Sequence, residues 1–95
     1  MGFTTIKTKH LAADGIIVGG SARLKSVYFQ HGASVGTLTF KDGATAGTTF
    51  LTINTMADKG EYQVDIPEPG YRCTDPLGPY VAITGGVSFV TVFYD

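Results

Sequence analysis

The chain reads as all-β: a single β-sandwich of about eight short antiparallel strands, jelly-roll-like or immunoglobulin-like in order. Three observations point there. Thirteen Gly and four Pro punctuate the 95 residues so regularly that no stretch free of both exceeds twelve, and no stretch shows an apolar helical stripe between start and stop signals. Between the breaks stand thirteen Thr, five Tyr and six Phe, residues that suit a pleated, half-buried surface. Apolar side chains then recur every second residue, the period of a strand. With 43% hydrophobic and 16% charged residues the chain is too apolar for disorder, and its length suits one domain spanning residues 1–95.

The strands are expected at 4–11, 16–18, 22–30, 37–41, 49–54, 61–66, 80–84 and 87–94. Asp14-Gly15, Gly19-Gly20, His31-Gly32, Asp42-Gly43, Met56 to Gly60, Pro67 to Gly78 and Gly85-Gly86 break them, glycine supplying the positive φ of tight turns. In 37–41 the inward residues are Leu38 and Phe40, in 49–54 Leu51 and Ile53, and in 61–66 Tyr62, Val64 and Ile66. Leu24, Val27 and Tyr28 would also fit a helix face, but the Val, Tyr and Phe content of 22–30 and the following His31-Gly32 turn favour a strand. The last segment has Phe89 and Phe93 on one face and Val90, Val92 and Tyr94 on the other. Such a strand is either central or covered by another subunit.

Charge narrows the partners. A net charge of −1 argues against a phosphate-binding surface, so nucleic acid is not an expected ligand. Residues 1–47 carry +3 and residues 48–95 carry −4, a split that fits either solvated faces or head-to-tail contact between copies. No apolar run could span a bilayer and no secretory signal opens the chain, so synthesis in a cytoplasm without a membrane anchor is expected. A small core without an intrachain disulfide, since Cys73 is the sole cysteine, favours stabilisation by partners.

Motifs that imitate catalysis fail on context. Gly32-Ala-Ser-Val-Gly36 matches a nucleophile elbow by letter, yet no helix pattern follows and both His10 and His31 precede Ser34. Gly43-Ala-Thr-Ala-Gly47 is too short for a phosphate loop and lacks its Lys, so it reads as a hairpin loop. Cys73 has no downstream His and reads as a half-buried free thiol. Asp65, Glu68 and Asp75 are oxygen donors without a calcium-loop spacing, and no metal or cofactor is expected. Phe3, Tyr28, Tyr71 and Tyr80 could stack on sugars, but packing in the core or against a partner is the plainer role.

The runs Val35-Gly-Thr-Leu-Thr-Phe-Lys-Asp-Gly43, Gly60-Glu-Tyr-Gln-Val-Asp-Ile-Pro-Glu-Pro-Gly-Tyr-Arg72, Pro79-Tyr-Val-Ala-Ile-Thr84 and Val90-Thr-Val-Phe-Tyr94, with Gly20-Ser-Ala-Arg-Leu-Lys-Ser-Val-Tyr28 upstream, cover about two-thirds of the chain. Together they resemble a group of short structural proteins of marine bacteriophages. The resemblance implies a non-enzymatic virion component made in the host cytoplasm: a capsid decoration (cement) protein bound to the major capsid protein, or a tail or neck part. A glycan-binding module for host recognition is the alternative. A homo-oligomer, with a trimer favoured, is expected to dock through its termini and turns. Candidate interface residues are Phe3, Tyr28, Tyr71, Arg72, Tyr80, Val90, Val92 and Tyr94.

Overall fold

The computed structural model describes residues 6–55, 60–67 and 70–95. Among these residues its strands are β1 (Lys7–Leu11), β2 (Gly15–Ile16), β3 (Ala22–Asp42), β4 (Thr48–Asn54), β5 (Gly60–Asp65), β6 (Tyr71–Cys73) and β7 (Pro79–Tyr94), with one 3-10 turn at Ala44–Ala46. The all-β expectation holds. Among the described residues seven strands replace eight because His31-Gly32 and Gly85-Gly86 bend the chain without ending pairing, which merges two pairs of expected strands, while β6 forms inside a segment expected to be a break; of the expected break at Met56 to Gly60, residues 56–59 lie outside the described residues. Residues 4 and 5 of the first expected strand, and Phe3, lie outside the described residues.

All strands belong to one antiparallel sheet built on β3 and β7, which pair along most of their length. Fully extended, the 21 residues of β3 would reach about 70 Å. The longest dimension of the molecule is 42 Å. The strand therefore doubles back, and its two ends meet the same segment: Ala22 pairs with Cys73, while the Asp42 carboxylate accepts from the Thr74 and Asp75 amides at 3.3 and 3.2 Å. Bending one sheet makes two layers. The first holds β1, the end of β7, the start of β3, and β5 with β6 in line; the second holds β2, the start of β7, the end of β3, and β4.

Register shifts let one strand keep its apolar side inward through the bend. Along β3 the inward buried positions are Ala22 and Leu24, then Val27, Phe29 and His31, then Gly36, Leu38 and Phe40, switching parity at the shift between Leu24 and Ser26 and again at the corner, while Ser26 is buried on the other face among its pairing partners. In β7 the unpaired Ser88 separates Val87 from Val90 and Val92 in the same way. Both layers feed one cluster, with Leu24, Val27, Leu38, Phe40, Val81, Val90 and Val92 all at 0% exposure.

The corner needs glycine. Between the pairs His31–Val87 and Gly36–Gly85, β3 spends four residues, 32–35, where β7 spends Gly86 alone, so β3 takes the outer path. A Cβ on Gly36 would come within 2.7–2.9 Å of the Thr84 oxygen and the Gly86 and Val87 nitrogens, and one on Gly86 would overlap the Ser34 carbonyl. The motif that imitated a nucleophile elbow is this bend, inside a strand and with Ser34 exposed. Gly43-Ala-Thr-Ala-Gly47 is the β3–β4 hairpin loop, as its length required.

Candidate interaction surfaces

Two surfaces carry side chains that could recognise another molecule. The first lies where the sandwich stays open, between edge strand β4 and the edge formed by β5 and β6. At the register shift between Phe40 and Lys41, Phe40 pairs with Leu51 and Lys41 with Thr49, so Phe50 is an extra residue. Its ring leaves the outer face and stacks on Tyr71 of the other layer at 3.9 Å between centroids, with the rings 4° from parallel. Phe50, Leu51, Val64, Ile66, Pro67 and Tyr71, with Asp65 among them, then line a mostly apolar groove of about 190 Å³. Beside it, Phe29, Asn54, Thr55, Tyr62 and Val64 border a second hollow of about 280 Å³. Tyr62 is 47% and Tyr71 39% exposed, so aromatic surface reaches the rim.

The second surface is the outer face of the first layer. Register places Ser26 opposite Asp65 and Phe93, Tyr28 opposite Gln63 and Thr91, and Gln30 opposite Glu61 and Phe89. The Tyr28 hydroxyl donates to Glu61 Oε2 at 2.6 Å, and Ser26 and Gln63 donate to Asp65 Oδ1 at 3.0 and 3.2 Å. Donation to Glu61 holds the Tyr28 phenol protonated, with its pKa raised above the ordinary value, and desolvation and the carboxylate charge act in the same direction. The Phe89 ring sits 4.9 Å from His10 and 6.1 Å from Tyr28. An aromatic ring beside hydrogen-bonded carboxylates and amides suits a polyhydroxylated ligand.

At the corner end, Gln30, His31, Gly32, Gly60, Glu61 and Ser88 surround an open cleft of about 440 Å³. His31 is buried and stacks on Tyr62 at 5.4 Å; its Nδ1 lies 3.2 Å from the Gly32 carbonyl, and Nε2 has no partner in the protein among the described residues. A Cβ on Gly60 would stand 3.3 Å from that nitrogen, so the Gly60 backbone covers it.

The predicted interface residues are scattered. Tyr28 belongs to the outer face and Tyr71 to the groove, Arg72 is exposed on β6 opposite Arg23, and Tyr80 is half-buried opposite Lys41 and Ile16. Val90 and Val92 are corrected to core residues. Both are shielded within a single chain because β7 is a central strand whose inner face the folded-over second layer covers, and half-buried Tyr94 packs at the margin of the same cluster. Phe50, Glu61 and Phe89 were not among the predicted interface residues. The adjacent apolar pair Phe50-Leu51, which breaks the alternation of β4, was the available signal for Phe50.

The candidate reactive groups have structural surroundings. Cys73 is fully buried, more than expected, and burial, with the Asp42 charge adding to it, pushes its thiol up to about 12. At neutral pH it is a thiol, not a thiolate. Asp65 is engaged by Ser26, while Asp75 accepts from the Leu77 amide at 2.9 Å in a separate turn. Glu68 lies outside the described residues.

Comparison with known proteins finds no matching family model, no matching curated protein and no matching solved structure.

Proposed function

We propose that the protein works by contact rather than by chemistry, as a structural part of an assembled particle. The particle we have in mind is a bacteriophage virion, with the chain as a capsid decoration protein on the major capsid protein and a trimer as the favoured homo-oligomer. The observation that carries this reading is the open side of the sandwich: a mostly apolar groove beside Tyr71 and an adjoining hollow beside Tyr62 give a second copy surface to cover. Covering such side chains contributes about 25 cal/mol per Å² of apolar area. The motif resemblance supplies the biological setting. Electron micrographs of particles assembled with and without the protein test it. Added density repeated on the shell is the expected result, and a protein that neither sediments with particles nor alters them overturns the reading.

The outer face supports a second reading, a glycan-binding module, because Phe89 lies beside His10 and Tyr28, and the Tyr28 hydroxyl donates to Glu61. Calorimetric titration with neutral oligosaccharides decides it. Binding lost in Phe89→Ala at unchanged stability favours the module, and no heat with any sugar removes it.

A further inference from the structure

We propose that copies of this chain associate head to tail through the two edges of the first layer. In that arrangement β1 of one copy adds antiparallel to β5 of the next, so the sheet continues from molecule to molecule. This deepens the assembly reading and rests on it for its biological setting.

Topology makes the junction possible. The first layer runs β1-β7-β3-β5 with every neighbouring pair antiparallel, so β1 and β3 point one way and β7 and β5 the other. A copy displaced sideways without being turned over therefore presents a β5 that is antiparallel to the waiting β1. An odd number of strands would have offered a parallel edge. The edges match in length, five residues against six, and among the described residues β1 pairs only with β7 and β5 only with β3. An edge of this kind presents unpaired backbone donors and acceptors to another strand.

The two edges are opposite in charge. β1 carries Lys7 and Lys9 and no acid; β5 carries Glu61 and Asp65 and no base. Register in the joined sheet places Lys7 and Lys9 on the face of Tyr62 and Val64, where their apolar stems would cover the exposed Tyr62 ring. Glu61 and Asp65 come to the face of Thr8 and His10. The attraction is thus between edges, within a screening length of about 10 Å, and not a directly opposed ion pair. Ile6, just before β1, and Tyr62 in β5 are 39% and 47% exposed, so apolar surface lies at both edges too. Turning one copy over would set β1 against β1 or β5 against β5, bringing like charges together. Head-to-tail contact relieves both edges at once, and closes into a ring if its rotation allows.

The test is a charge swap. Light scattering of the wild-type chain from micromolar to millimolar concentration should show association that weakens as salt rises. Lys7→Glu with Lys9→Glu in one chain, and Glu61→Lys with Asp65→Lys in another, should each weaken it about tenfold at low salt. An equimolar mixture should recover association wherever the two variants alternate, as pairs, open chains or even-numbered rings, since each altered edge then meets its complement, and an odd ring would keep one mismatched junction. Failure of the mixture to recover, with both variants folded by circular dichroism, overturns the proposal. Because Glu61 also holds Tyr28 and Asp65 holds Ser26, hydrogen exchange on the wild-type chain gives an independent reading: amides of β1 and β5 should both slow as concentration rises, and slowing at one edge only, or elsewhere, overturns it. A wild-type chain that stays monomeric at millimolar concentration overturns it too, yet leaves particle binding to stand on its micrographs. Association without particle binding does the reverse.

Discussion

The bend at one end of the sandwich and the open side along β4 and β5 solve the same problem, joining two layers, in contrary ways. At the bend the backbones touch. Gly36 and Gly86 leave no room for a Cβ, and the Gly36 amide donates to buried Thr55 Oγ1 at 2.8 Å while its carbonyl accepts from the Thr55 amide at 2.9 Å. Along the open side large side chains meet instead: Phe50 stacks on Tyr71 and leaves a groove beside the stack. Backbone contact is sealed and intolerant of change, whereas ring contact is adaptable and leaves apolar surface for a partner.

Four changes would break or sharpen that contrast. Val92→Asp should have the largest effect, about 4 kcal/mol or more, because it sets a carboxylate in the shared core at a fully buried position; urea titration of the monomer measures it, and a small loss would mean the layers are not sealed. Gly86→Ala should cost about 3 kcal/mol by driving a methyl group into the Ser34 carbonyl, while Gly32→Ala, whose Cβ would meet its nearest neighbour at 3.8 Å, should change the unfolding midpoint little. Equal effects would remove the argument that contact, not chain flexibility, selects glycine at the bend. On the open side, Tyr71→Ala should cost only about 1–2 kcal/mol, since the ring is 39% exposed, yet lower self-association more than either bend variant that still folds.

The smallest effect at neutral pH concerns ionisation. Cys73 has its folded thiol pKa raised to about 12 from 9.0, so the native state keeps a proton that the unfolded chain releases. That contribution is complete below pH 9.0 and is lost as pH rises towards 12. Stability should fall across this alkaline window in the wild-type chain and fall less in Cys73→Ala, with thiol reagents slow to react near neutrality. Rapid labelling of the native protein at neutral pH would contradict the burial.

How much of this was legible depends on distance along the chain. Leu38 and Phe40, Leu51 and Ile53, and the Gly43 loop could be read directly, because alternation and turn chemistry are properties of neighbouring residues. The outer-face pairing of Tyr28 with Glu61 and the stacking of Phe50 on Tyr71 could not, since each joins residues more than twenty positions apart through a register that only the whole sheet fixes.

The sequence by itself determined an all-β chain, the hairpin loop at Gly43, and the inward residues of the runs 37–41 and 49–54. Tertiary structure decided what those runs became. His31-Gly32 and Gly85-Gly86 look like breaks, but facing each other across the sheet they form a bend through which β3 and β7 stay paired, and local sequence does not encode that juxtaposition. The same bend moved Val90 and Val92 from a surface awaiting a partner into the core of a single chain. A strand's pattern states which faces are apolar; only the path of the rest of the chain determines what covers them.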